Sequence, residues 1–207
     1  VGLGKKTRDY GWHLAQRGFI ALSIGKPTSR IDLDDPGKVR GGTYFGPAGK
    51  PALVQPLSLL AYVAANAHTA LAQRDDVLPD RIGIVGHSFG GKWVLFASCL
   101  YDKFACAVWS DPGIVFDERD RRKQNPGGSV TYWDVWYLGF ELGQVPDPTR
   151  LGGFRKLPSE GQVRTGAYKQ LIEGGHDLVE LHALMAPRAL LVSGGTADLP
   201  ERWRALN

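Results

Sequence analysis

Ser88 is the side chain in this sequence best framed to act as a nucleophile. It sits in Arg81-Ile82-Gly83-Ile84-Val85-Gly86-His87-Ser88-Phe89-Gly90-Gly91, just after a Pro79-Asp80 turn signal. Arg81 to Val85 is a short β-rich run and reads as a buried strand. Gly86, Gly90 and Gly91 surround the serine, and an apolar run from Trp93 to Leu100 follows at helical spacing. A serine on so sharp a turn holds a strained backbone, and small neighbours let strand and helix approach. The start of the helix offers backbone N–H groups, that of Phe89 first, to a developing oxyanion. A bare Gly-x-Ser-x-Gly string occurs by chance; the strand before it and the helix after it give this one its weight.

A serine hydroxyl is a weak nucleophile until a base accepts its proton and a carboxylate orients that base. Two aspartates follow predicted strands. Asp198 comes after Ala189-Leu190-Leu191-Val192-Ser193-Gly194-Gly195, and Asp111 lies in Val108-Trp109-Ser110-Asp111-Pro112-Gly113. Either could instead be a turn residue, a role that Asp-Pro-Gly fits well. Of the five histidines, His13 and His68 fall on helices, and His87 adjoins the nucleophile but cannot easily fold back onto its Oγ. His176 and His182 flank and enter the helix before the last strand. A structural or capping role suits His182, and no histidine in the chain stands out as the base.

The elements that must position these groups alternate. Thr7 to Arg17 is predicted as a helix ended by Gly18, and Phe19 to Ile24 as a strand. Gly25 to Pro56 is a long Gly-, Pro- and Asp-rich loop. Leu57 to Arg74 is a helix with Leu57, Leu60, Ala61, Ala64 and Leu71 on one face. After the strand and helix around Ser88 come a strand from Ala105 to Ser110, an irregular aromatic stretch over 111–168, a helix from Asp177 to Met185 stopped at Pro187, and a strand from Ala189 to Ser193. Such alternation implies an α/β fold, a mostly parallel sheet with helices on both faces. No internal repeat and no second domain is seen.

Composition narrows the chemistry. The 207 residues are 43% hydrophobic and 22% charged, ordinary for one globular domain with a sizeable core. No apolar run approaches a membrane span. The formal charge of +4 is mild, and its densest cluster, Arg119 to Lys123, is interleaved with acids, as a solvated loop would be and a nucleic-acid patch would not. Cys99 and Cys106 read as buried free thiols. No cluster has convincing metal spacing and no glycine-rich loop has a phosphate-cradle pattern, so no cofactor is expected.

Gly86-His87-Ser88-Phe89-Gly90-Gly91, with Asp76-Val77-Leu78-Pro79-Asp80-Arg81-Ile82 and Ala186-Pro187-Arg188-Ala189-Leu190-Leu191-Val192, resembles the α/β-hydrolases. The likeness is greatest to the bacterial branch of acetylxylan-esterase-like, dienelactone-hydrolase-like and prolyl-oligopeptidase-like serine hydrolases. The resemblance implies a serine esterase whose acid is Asp198, with Asp111 as an alternative that some relatives use. It implies a cap at about 111–168, where Tyr132 to Phe140 either line a sugar, acyl or aryl site or form the cap's own core. Lys26 to Lys50 is either another pocket wall or a surface excursion. Val179 stands where relatives often carry His, which removes a contact outside the triad.

The resemblance also implies a strand ahead of the first helix, and a further strand and the catalytic histidine beyond Asn207. A sheet without a central strand leaves buried backbone groups unpaired, at about 1–3 kcal/mol each. Removing a triad base costs on the order of 10⁶ in turnover, so the 207 residues alone are expected to show negligible esterase activity. The implied substrate is a small-molecule or oligosaccharide ester, such as an acetylated plant polysaccharide. A prolyl-oligopeptidase-type peptidase and a catalytically silent hydrolase-like binding protein are the alternatives. The strained serine argues against the silent one.

Overall fold

The computed structural model describes residues 9–24, 56–116 and 166–194. Its centre is a three-stranded parallel sheet in the order β1 (Gly83–His87), β2 (Cys106–Ser110), β3 (Ala189–Ser193). The register pairs Gly83 with Cys106 and His87 with Ser110, then Cys106 with Ala189 and Ser110 with Ser193. All three strands therefore end level, and their carboxyl ends share one edge. A parallel sheet flanked by helices is the α/β arrangement predicted from the alternation.

α1 (Tyr10–Ala15) precedes α2 (Pro56–Ala72), and α3 (Phe89–Leu100) follows β1 directly. The predicted apolar face of α2 is the one it buries: Leu57, Leu60, Ala61 and Ala64 are in the core. α3 is buried from Gly91 to Cys99, as expected of a helix apolar on most sides. It lies on the sheet face that carries Ala107 and Trp109, with α2 packed along it. The other face, with Cys106 and Val108, is more exposed among the described residues.

Two indoles lock this layer. The Trp93 Nε1–H donates to the Leu60 carbonyl of α2. The Trp109 Nε1–H donates to Ser98 Oγ at 3.0 Å, and Ser98 in turn donates to the Val94 carbonyl at 2.7 Å. Each buried polar atom of that chain has its partner, so Trp109, fully buried, adds apolar area without a desolvation penalty.

Several elements differ from the sequence reading. Pro79 to Arg81 wind a 3₁₀ turn, so β1 starts two residues later than predicted and runs on to His87. α4 (Gly166–Glu173) was not foreseen, although Tyr168, Leu171 and Ile172 keep i, i+3, i+4 spacing ahead of the Gly174-Gly175 stop. Phe19 to Ile24 is not a strand: no ladder forms along it among the described residues, and Phe19, Ile20 and Leu22 are exposed. An apolar run becomes a strand only beside a partner that supplies hydrogen bonds. The predicted helix at Asp177 to Met185 is α5 (Leu178–His182) continued by a 3₁₀ turn at Ala183–Met185. The long loop at 25–55 and the cap expected within 117–165 lie outside the described residues.

Candidate active site

Ser88 occupies the single residue between β1 and α3. Its backbone has φ 55° and ψ −116°, and the residue is exposed. A positive φ is uncommon for any residue but glycine and costs on the order of 1–3 kcal/mol, supplied by the packing around it. That packing is visible on both sides. A Cβ on Gly86 would lie 2.2 Å from the Gly90 carbonyl oxygen and 2.8 Å from Val94 Cγ2, so only glycine lets the strand end meet the helix start. A Cβ on Gly91 would lie 2.7 Å from the Ser110 carbonyl oxygen. Gly90, by contrast, would bring its Cβ near no described atom within 4 Å. Two of the three glycines around the serine are thus required by space, and the third is not.

The turn is tied sideways to β2. The Ser88 N–H donates to the Ser110 carbonyl at 2.8 Å, and the Lys92 N–H closes the first helical bond onto the Ser88 carbonyl at 3.0 Å. His87 Nδ1 and Ser110 Oγ share a hydrogen bond at 3.1 Å, so the imidazole next to the serine is turned toward the neighbouring strand. This agrees with a place beside the site and not on the serine hydroxyl.

Asp111 follows Ser110 as Ser88 follows His87, so the two residues stand side by side beyond adjacent strand ends. Asp111 also has a positive φ, 51°, and its N–H donates to the Ser193 carbonyl of β3 at 2.6 Å. Asp198, the other predicted acid, lies outside the described residues, as do Tyr132 to Phe140 and Lys26 to Lys50.

Three other histidines are engaged elsewhere. His68 Nε2–H donates to the Lys103 carbonyl at 3.1 Å, and its ring meets Tyr101 and Phe104 edge-on. His176 Nδ1 lies 2.8 Å from Glu180 on an exposed helix start. The His182 ring packs on Trp109 with centroids 5.1 Å apart. Burial holds its pKa below the ordinary imidazole value, opposed by the charge of Asp177. That is a structural placement, as its sequence position suggested. Among the described residues no three His, Cys, Asp or Glu side chains are grouped to hold a metal ion.

Two polar side chains near the turn were not singled out from the sequence. Lys92, in the first turn of α3, is buried and its Nζ donates to the Pro112 carbonyl. Asp177 caps α5 by accepting from the Leu178 N–H at 2.6 Å, and the same Oδ1 accepts from the Phe116 N–H at 2.9 Å. A lysine three residues into an otherwise apolar helix was the available signal for the first. The second reads locally as an ordinary helix cap.

No family model and no curated protein matches the chain. Among solved structures it is similar to a glucuronoyl esterase from Solibacter usitatus, with 23% identity and a TM-score of 0.46 over 77% of this chain and 34% of that one. A glucuronoyl esterase of carbohydrate esterase family 15 from Teredinibacter turnerae is 26% identical, with a TM-score of 0.40 over 72% and 31% of the two chains. One from Caldicellulosiruptor kristjansonii is 20% identical, with a TM-score of 0.46 over 73% and 39%. The chain therefore spans about a third of the length of the solved structures it matches.

Proposed function

We propose that this protein is a serine ester hydrolase in which Ser88 is the nucleophile. The observation that carries the reading is the Ser88 backbone: an exposed serine held at φ 55° between a parallel strand and the helix that follows it. Strain of that kind persists where the surrounding structure is built to hold it, and such residues cluster at reactive sites. Gly86 and Gly91 have no room for a side chain, which is how the strain is maintained here.

In the proposed reaction Ser88 Oγ attacks the ester carbonyl and its proton passes to a histidine base. His68, His87, His176 and His182 are each turned to other partners, so the base is a histidine other than these. The carbonyl oxygen becomes an oxyanion beside the first turn of α3, where the Phe89 N–H lies at the positive end of the helix. The carbon–oxygen bond to the alcohol then breaks, and the alcohol leaves with the proton held by the histidine. Water attacks the acyl-serine carbonyl and gives a proton to the same base; the bond from the acyl carbon to Ser88 Oγ then breaks, Oγ takes that proton back, and the acid is released. Asp198 is assigned as the carboxylate that orients the base. Asp111 is the second reading, favoured by its place beside Ser88 at the sheet edge.

The substrate proposed from the family resemblance is an esterified plant polysaccharide. Labelling of the intact protein with a fluorophosphonate tests the nucleophile: wild type takes up the probe and Ser88→Ala does not. An unlabelled wild type would instead favour the silent binding protein. Aryl acetate, acetylated xylan, a methyl ester of a sugar acid and a peptidyl substrate then separate esterase from peptidase.

A further inference from the structure

We infer that Lys92 and Asp177 are positioning residues that clamp the segment 111–116 against the Ser88 turn from its two ends. The inference rests on the nucleophile reading above and deepens it.

The segment begins where β2 ends, beside Ser88. Near its first end, the Lys92 ammonium donates to the Pro112 carbonyl from a position only 3% exposed. Burying an ammonium is costly unless it is hydrogen-bonded, so this contact is one the fold has to satisfy. Lys92 is one helical turn after Ser88, and its N–H bonds to the Ser88 carbonyl. One residue therefore touches both the serine turn and the neighbouring segment. Gly91 adds contact without charge, since a Cβ there would come within 3.3 Å of Pro112 Cα.

At the far end, Asp177 Oδ1 accepts from the Phe116 N–H while capping α5. Phe116 and Pro112 are fully buried, so the segment is anchored by apolar packing at the same two places where it is held by polar contacts. Just ahead of the first clamp stands Asp111, whose strained φ and bond to Ser193 tie the start of the segment to β3. Releasing either clamp lets this segment shift, and with it the Ser110 carbonyl that holds the Ser88 N–H. A misplacement of about 1 Å from a remote change can cost about 100-fold in rate.

The test uses the intact protein and an aryl acetate, with kcat expressed per serine titrated to completion by a fluorophosphonate. Lys92→Met and Asp177→Ala are each expected to lower kcat per titrated serine by about 10- to 100-fold, with a smaller change in KM. Asp177→Asn keeps a carbonyl oxygen as acceptor and should restore most of what Asp177→Ala loses. The double variant should lose less than the product of the single losses, because both clamps act on one segment. Should Lys92→Met fail to fold, the Asp177 pair decides alone. The inference is overturned if normalising to titrated serine abolishes the losses, if Asp177→Asn is as impaired as Asp177→Ala, or if the losses multiply. If wild type does not label at all, it is the nucleophile reading that has failed.

Discussion

Ser88 and Asp111 stand one residue beyond the register pair His87 and Ser110, and both carry left-handed backbones, φ 55° and φ 51°. They are the two non-glycine residues with positive φ among the described residues. Two parallel strands thus end level and each hands its chain on through a strained polar residue. The sheet edge is preorganised at both positions by backbone hydrogen bonds from Ser88 to Ser110 and from Asp111 to Ser193.

This arrangement makes the identity of the acid a sharp question. Replacing a triad aspartate by asparagine costs about 10⁴ in kcat, because the histidine is then held in the wrong tautomer to accept the serine proton. Asp198→Asn is expected to show a loss of that order on an aryl acetate and Asp111→Asn a far smaller one. The opposite ranking would transfer the role to Asp111.

The glycines around the serine should not be equivalent. Gly86→Ala forces a methyl to within 2.2 Å of the Gly90 carbonyl oxygen. Overpacking of this kind costs about 1–3 kcal/mol, here at the turn itself. Gly90→Ala meets no described atom and replaces a glycine near the start of α3, so stability should hold or rise by up to about 1 kcal/mol. Urea midpoints of the two variants against wild type decide it; equal midpoints would mean the turn is not packed this tightly.

Stability should depend on His182 in acid. Burial lowers its folded pKa below the ordinary 6.5, so the unfolded chain takes up the proton first. The sign follows: stability falls as pH drops below about 6.5 and goes on falling until the folded imidazole is itself protonated. His182→Gln should flatten that part of a melting-temperature profile. An unchanged slope would remove His182 as its source.

The two thiols should differ in reactivity. Burial pushes the Cys99 thiol up to about 12, whereas Cys106, expected to be buried, is exposed because it lies on the more open face of β2. Thiolate is the reactive form. Alkylation of the native protein near pH 8 should therefore modify Cys106 and spare Cys99, and unfolding in urea should release the second. Mass spectrometry after digestion reads both sites, and early modification of Cys99 would contradict its burial.

Residue pattern alone determined a good deal of this protein. The parallel sheet, the buried face of α2, β3 at its stated bounds and the serine between strand and helix all follow from periodicity and breakers, because period and glycine placement act over a few residues. What pattern could not determine depends on partners distant in the chain. Phe19 to Ile24 has a strand's composition but no ladder beside it among the described residues, and strand formation is decided by the neighbour. Asp177 reads as a local cap, yet its second bond goes to Phe116, 61 residues away. Lys92 reads as a polar interruption in an apolar helix until folding sets the Pro112 carbonyl against it. The strain at Asp111 likewise arises only when β2 and β3 come into register. Local rules gave the elements, and the closing of the sheet edge chose which side chains meet there.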